Sequence, residues 1–305
     1  MLELTDGQIV WGIQLPIQAQ SEIFVEDWER TAGAEELATI ARAAEAAGAW
    51  YVAVCDHVAI PDDKVPTMGA TWYDTIATLG YLAARTTDVH LVSHVWVAAY
   101  RHPLVSANAF ATLDRLSGGR IVIGVGAGHV EAEFDALGID FHRRGALLDA
   151  AIDGIDRQLR EVSVDGMHVA PRPVQTPRPP IWVGGSAPAA IRRAAERGDG
   201  WLPQGTLKRD MPAAIEQLRA HRAAAGRSGP FAIGAIAGPV HVGTPEWDTG
   251  PCLEGEAERI ASYLRDYREL GVHQVQVRMV SRDVAEQADQ LHAFGEQVWP
   301  LVLTS

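Results

Sequence analysis

One helix, its terminator and one buried strand follow each other in residues 102–128, HPLVSANAFATLDRLSGGRIVIGVGAG. Residues 102–116 carry the Ala- and Leu-rich spacing of a helix, and the sequence Ser117-Gly118-Gly119 ends it. Residues 120–125 then form an apolar run, which is typical of a parallel strand covered by helices. The stretch therefore predicts a helix that leads into a strand of a parallel sheet.

The same strand–helix unit recurs along the chain, eight times in 305 residues. The predicted strands are 8–15, 50–55, 90–97, 120–125, 180–183, 200–202, 231–242 and 272–280. The predicted helices are 35–47, 71–85, 102–116, 144–160, 188–197, 211–225, 254–270 and 283–302. Eight units favour an α/β fold of the (β/α)8 TIM-barrel type over a doubly wound sheet, because no GxGxxG follows the first strand. Residues 129–143 are predicted as an insertion after strand 4, and residues 1–305 as a single domain.

Composition limits the classes of function. There are 26 Lys and Arg against 39 Asp and Glu, a formal net charge of −13, so nucleic-acid binding is not expected. No apolar run approaches the roughly 20 residues of a membrane helix. The first six residues lack the basic and apolar regions of a signal peptide, and Cys55 and Cys252 form no CxxC pattern. We therefore expect a cytoplasmic enzyme with a small-molecule substrate and no membrane or nucleic-acid partner.

Candidate catalytic groups are sought where strands end, because the active sites of such barrels lie at the carboxyl ends of the strands. Asp56 and His57 follow the second predicted strand and combine a carboxylate with a group that titrates near neutrality. His57 is therefore the candidate for proton transfer, the alternative being a loop histidine that caps backbone. Adjacent strand residues point to opposite faces, so the two side chains need not touch.

A second candidate site follows the fifth predicted strand, where Gly184, Gly185 and Ser186 precede Pro188 at the start of a helix. Glycines let the backbone approach an anion closely, and the helix N-terminus offers unpaired N–H groups. The sequence favours a phosphate site over the alternative, a tight turn with a capped helix.

The remaining histidines do not by themselves indicate one kind of site. The pair Ser93-His94 interrupts an apolar strand, so His94 either faces a ligand or is a satisfied core histidine. No metal site is predicted, because none of five candidate histidines forms HxH or HExxH spacing. Those histidines are His57, His94, His102, His129 and His142.

Several blocks of the sequence form a recognisable set. They include RLSGGRIVIGVGAG at 115–128, EFDALG at 133–138 and DFHRRG at 140–145. They also include PPIWVGGS at 179–186 and GDGW at 198–201, with shorter blocks at 100–103, 109–114 and 173–175. Together these blocks resemble bacterial luciferase-like proteins, and most closely the branch of oxidoreductases that use a deazaflavin, coenzyme F420. Beyond residue 201 the similarity rests mainly on the strand–helix rhythm.

This resemblance implies a barrel, usually dimeric, that holds a flavin or deazaflavin at its mouth. In the deazaflavin branch, a histidine at the end of the second strand lies by the reactive face of the ring, and the match here is His57, after Asp56. A non-prolyl cis peptide in the third strand backs the ring, and the matching pair is His94-Val95. The glycines before the fifth helix hold the phosphate.

Two further positions complete the expected cofactor site, Gly126 and His129. The second departs from the family pattern, because sugar-phosphate dehydrogenases of this family carry a glutamate where this chain has His129. An asparagine used there for the cofactor corresponds to Ala132 here. A sugar-phosphate substrate is therefore not expected.

The function predicted is hydride transfer between reduced coenzyme F420 and a small organic substrate, in a homodimer, with His57 moving the proton. The alternative on the same fold is an FMN-dependent monooxygenase. Two further alternatives are a metal-dependent TIM-barrel hydrolase and a non-catalytic cofactor-binding protein.

Overall fold

A computed structural model describes Leu4 and residues 7–304. Residues 1–3, 5 and 6, which carry most of the signal-peptide argument, lie outside the described residues, as does residue 305. Ten strands are described: β1 Val10–Gln14, β2 Tyr51–Val54, β3 His90–Ser93, β4 Trp96–Val97, β5 Ile121–Gly126, β6 Ile181–Gly184, β7 Gly200–Leu202, β8 Ala232–Val242, β9 Leu253–Gly255 and β10 Gln274–Met279.

These strands form a closed parallel barrel, which confirms the predicted (β/α)8 fold. Neighbours pair in the order β1, β2, β3, β5, β6, β7, β8. Strand β10 pairs with β8 on one side and β1 on the other, for example Val10 with Gln274, and so closes the ring. All the carboxyl ends of the barrel strands therefore meet at one end of the molecule.

Helices surround the barrel: α1 Ala34–Ala46, α2 Val65–Met68, α3 Thr75–Ala83, α4 Pro103–Leu116, α5 Glu131–Ala136, α6 Arg144–Arg160, α7 Pro188–Arg197, α8 Met211–Ala224, α9 Ala257–Glu269, α10 Val284–Ala293 and α11 Trp299–Leu303. The predicted insertion lies between β5 and α6 and contains α5 and a 3₁₀ turn, Phe141–Arg143. Among the described residues, no helix has the length and apolar character needed to cross a membrane.

Strand alternation divides the core into two layers. On β2, Val52 and Val54 pack outward against the helices, whereas Tyr51 and Ala53 pack inside the barrel. The Tyr51 hydroxyl donates to Gln274 Oε1 at 2.6 Å across the interior. Gly12 on β1 makes room for this ring, since a Cβ there would lie 2.3 Å from it.

The structure departs most clearly from the predicted elements at four places. The third strand is interrupted at His94 and Val95, whose peptide bond is cis. The helix predicted from residue 71 begins at Thr75, because the Asp74 carboxylate caps it by accepting from the N–H of Ala77.

The other two differences lie near the C-terminus. Residues 253–255, where the helix was predicted to begin, form β9 and pair with the end of β8. The closing helix is divided into α10 and α11 by a π-helical segment, Phe294–Val298. Pro300, at the start of α11, has no N–H with which to continue the ladder.

A buried arginine ties the helical layer to the barrel. Arg178 is 1% exposed, and its guanidinium donates at 2.5 Å to both Asp156 of α6 and Asp199, which precedes β7. Burial would raise the pKa of Asp156, but the Arg178 charge and nearby hydrogen bonds hold it below its usual value. Asp199 Oδ2 also accepts the N–H of Ile181, so one cluster joins α6, β6 and β7.

Replacing Arg178 with Met is expected to destabilise the fold by about 3–5 kcal/mol, because the substitution leaves two carboxylates without their buried partner. Arg160→Met is the matched control, since Arg160 also donates to Asp156, at 2.7 Å, but has a side chain that is 40% exposed. Its loss should be below about 1 kcal/mol. Urea denaturation measures both, and equal losses would contradict the role given to Arg178.

Candidate functional site

The ring of His57 is held by a buried carboxylate just beyond the end of β2. His57 Nδ1 lies 2.7 Å from Oε2 of Glu133, which is carried by the short helix α5 in the insertion and is 1% exposed. The other oxygen, Oε1, accepts the backbone N–H groups of Val58 and Ala59 at 2.7 and 3.2 Å. The Tyr100 hydroxyl donates to Oε2 at 3.2 Å.

These contacts determine the ionisation state of Glu133. Burial raises the pKa of Glu133, but the hydrogen bond and charge of His57, with the two N–H groups, outweigh it and leave the pKa below its usual value. Burial and the neighbouring carboxylate raise the pKa of Tyr100, so its hydroxyl stays protonated and donates. Glu133 is therefore an ionised carboxylate at neutral pH.

Two aromatic rings lie beside His57. Trp72 stands edge-to-face with it at 4.4 Å between ring centroids, and His129 does the same at 5.4 Å. Burial lowers the pKa of His129, and the neighbouring His57 lowers it further. The structure thus brings together two of the residues predicted for the site, His57 and His129.

Asp56 has different partners from His57. Its carboxylate is buried and accepts two hydrogen bonds from the Arg101 guanidinium, at 2.5 and 2.9 Å. It also accepts the N–H of Val97 at 2.8 Å. The Arg101 guanidinium lies 3.7 Å over the Trp96 ring. Asp56 therefore binds the segment that follows β3, and its predicted contact with a cofactor stays a prediction.

His94 lies in a chain of amides across the mouth of the barrel. Its Nδ1 pairs with Oε1 of Gln276 at 2.5 Å, and its Nε2 with the side-chain nitrogen of Gln204 at 3.2 Å. Burial lowers the pKa of His94 to about 4, although the bond to Gln276 favours the charged form. A neutral ring that donates from Nδ1 and accepts at Nε2 satisfies both neighbours. Gln276 in turn approaches Gln14 of β1 at 3.5 Å.

Val95 packs against the ends of two neighbouring strands. A Cβ at Gly126 would lie 2.4 Å from a Val95 methyl, and one at Gly184 would lie 2.6 Å from the other. Both distances are shorter than any real contact, so these two positions require glycine for as long as Val95 stays in place. Val95, Gly126 and Gly184, three of the residues predicted for the site, thus form one continuous surface.

The loop after β6 presents unpaired backbone donors. Gly185 has a φ of +112°, and its carbonyl accepts from the Trp201 indole at 2.7 Å. The Ser186 hydroxyl is bonded to the backbone of Gln204, so it braces the loop. Within the described residues, no acceptor pairs with the N–H groups of Ser186, Ala187 and Ala189, at the start of α7.

The sequence model of the luciferase-like monooxygenase family matches residues 15–249 of this chain. The chain belongs to that family. An uncharacterized protein of Mycobacterium tuberculosis is 32% identical over 217 residues, which cover 65% of this chain and 75% of the relative.

Solved structures of the same fold are more distant in sequence. The monooxygenase RslO1 from Streptomyces bottropensis aligns with a TM-score of 0.77 at 19% identity, over 96% of this chain and 99% of that one. An F420-dependent secondary alcohol dehydrogenase, solved with an F420–acetone adduct, aligns with a TM-score of 0.78 at 17% identity, over 97% and 99%. These likenesses show the fold of this luciferase-like protein.

The residues that hold the candidate site in place carry no signal in the sequence of this family member. Glu133 lies within one of the blocks that resemble the family, but nothing in the sequence pairs it with His57, 76 positions away. Gln204 and Gln276, the partners of His94, carry no motif.

Cavity size does not locate the site in this protein. A cleft of about 320 Å³ lies at the opposite end of the barrel, between Trp11, Trp50 and Trp299, and another lies between α1 and α3. The arrangement of polar side chains is the better guide. In the part of the chain that the structure describes, no group of three or more His, Cys, Asp or Glu side chains is arranged to hold a metal ion.

The packing of Val95 gives a prediction for this luciferase-like protein. Gly184→Ala should destabilise the fold by about 1–3 kcal/mol, the usual cost of overpacking, since its methyl group would overlap Val95. Gly80→Ala is the control, because in α3 the added methyl meets only a Leu113 methyl at an ordinary 3.6 Å. There the higher helix propensity of Ala makes a neutral or slightly stabilising change the expectation. Urea denaturation curves of both variants test this, and a neutral Gly184→Ala would contradict it.

Proposed function

We propose that this protein is an oxidoreductase that transfers a hydride between coenzyme F420 and a small organic substrate. The proposed active form is a cytoplasmic homodimer of single-domain chains. The observation that carries the proposal is the ring of His57, oriented by Glu133 at the carboxyl end of β2, with Nε2 left free of any partner among the described residues. A histidine at this place in the barrel can move a proton while a bound cofactor carries the electrons.

The residues at the mouth fit a cofactor that ends in phosphate. Gly185 puts no side chain between the loop and a ligand, and the N–H groups of Ser186, Ala187 and Ala189 are donors that meet no acceptor among the described residues. Together with the positive end of the α7 dipole they suit an anion. These residues would hold the phosphate.

The surface formed by Val95 and the neighbouring Gly126, with His94 next to Val95 in the chain, would support the ring system of the cofactor. His94 is neutral there, and its two ring nitrogens are both occupied, so it is suited to shape the surface and not to exchange protons. When bound, the deazaflavin supplies the hydride chemistry. The protein residues orient the ring and give or take the accompanying proton at His57 Nε2.

The rival function on the same fold is an FMN-dependent monooxygenase. The family name and the likeness to the monooxygenase RslO1 support it, whereas the likeness to an F420-dependent alcohol dehydrogenase supports the deazaflavin. The glycine loop would accept the phosphate of either cofactor. The resemblance around Asp56 and His57 favours the deazaflavin.

Cofactor choice tests the proposal directly. Fluorescence titration of the purified protein should show tighter binding of coenzyme F420 than of FMN. An oxygen-electrode assay with reduced FMN should show no substrate-dependent oxygen uptake. Submicromolar FMN binding accompanied by such uptake would replace the proposed function with the monooxygenase.

The proton-transfer role of His57 is tested with His57→Gln. Turnover should fall by about 10²–10⁴-fold, the usual contribution of a general acid or base, while cofactor affinity stays within a few-fold. His142→Gln is the control, because its side chain is 83% exposed on the insertion, and it should leave turnover unchanged. Equal losses of affinity and turnover in His57→Gln would make His57 a binding residue instead.

A further inference from the structure

We propose that Glu133 is a positioning residue that decides which nitrogen of His57 carries the proton. The inference rests on the proposed function, since it assigns a role to a neighbour of the proton-transfer group. It starts from the hydrogen bonds of a single buried carboxylate on the insertion.

Both oxygens of Glu133 are fully engaged. Oε1 takes the N–H groups of Val58 and Ala59, and Oε2 takes the Tyr100 hydroxyl and His57 Nδ1. An ionised carboxylate only accepts hydrogen bonds. The atom that faces it at 2.7 Å must therefore be a donor, which places the proton of His57 on Nδ1.

This assignment leaves Nε2 as the atom that changes its protonation. In the neutral ring Nε2 is an acceptor, and it becomes a donor when the ring takes up a proton.

The insertion fixes the position of this carboxylate. The next residue, Phe134, is fully buried between the rings of Tyr100 and Phe141, with centroids 4.9 and 5.3 Å away. Gly128 makes room for it, since a Cβ there would lie 2.9 Å from the Phe134 ring. Because Glu133 also holds the N–H groups of Val58 and Ala59, the backbone that carries His57 cannot shift without breaking the pair.

Four other charged or titratable groups lie near the Glu133–His57 pair in the described part of the chain. The His129 ring faces His57, and Asp56 is neutralised by Arg101. Glu131 lies on the exposed side of α5 near His142. The Tyr100 hydroxyl remains a neutral donor. None of these groups bonds to His57 Nδ1, whose partner among the described residues is Glu133.

The test is Glu133→Gln, which keeps the shape of the side chain but can present an N–H₂ donor to Nδ1. The variant should move the proton of His57 to Nε2, and turnover should fall by about 10²-fold or more, as for loss of a general base, with cofactor affinity unchanged. A purely structural role would lower activity without moving the proton of His57 to Nε2.

Tyr100→Phe is the matched control. It removes a different donor from the same carboxylate oxygen, so it should leave the tautomer of His57 in place. Glu133→Gln and Tyr100→Phe that lower the melting temperature and activity alike, with the tautomer of His57 unchanged in both, would overturn the proposal.

The tautomer itself is measured without activity. Nitrogen-15 NMR of histidine-labelled protein distinguishes Nδ1–H from Nε2–H, and His57→Gln identifies the His57 signals among the 11 histidines. The expected result for the unaltered protein is Nδ1–H, and Nε2–H would overturn the proposal even if Glu133→Gln did not fold. A protein that shows Nδ1–H but neither binds coenzyme F420 nor turns over would refute the proposed function and leave the positioning by Glu133 intact.

Discussion

Closure of the sheet is the constraint on which the other features depend. Because β10 pairs with both β1 and β8, the eight barrel strands form a ring and their carboxyl ends converge at one mouth. Residues that follow different strands, such as His57, His94 and Gly184, thereby come to the same end of the barrel. Large interior side chains such as Tyr51 fit only because a glycine faces them on the next strand.

A second constraint comes from outside the regular barrel. The insertion after β5 carries Glu133 back across the mouth to the loop after β2, where one carboxylate gathers two backbone N–H groups, a phenol and an imidazole. A buried carboxylate with so many donors is stable as an anion, which explains how a negative charge can persist beside His57. The barrel therefore sets the position of His57, and the insertion sets the orientation of its ring through Glu133.

A further part of the mouth depends on the exclusion of side chains. Val95 occupies the space that a Cβ at Gly126 or Gly184 would need, so backbone and one valine form the surface. Gln204 joins this surface to the loop after β6, because its backbone bonds to Ser186 and its side chain reaches His94. Movement of the loop after β6 would therefore displace Gln204 and, through it, His94 at the surface that would support the cofactor ring.

The sequence by itself determined the barrel and the order of its units, because hydrophobic runs, glycine stops and strand ends are local patterns. The same patterns predicted His57, His94 and the glycine loop as candidate site residues. The predicted element boundaries were wrong where other contacts outweighed the local pattern. The helix predicted from residue 71 begins at Thr75, after its Asp74 cap, and residues 253–255 pair with β8 as a strand. Only the tertiary structure decided the partners: Glu133 for His57, Arg101 for Asp56, and Gln204 and Gln276 for His94. These pairs are separated by tens to hundreds of residues, and a hydrogen bond between distant residues leaves no periodicity for a sequence to reveal.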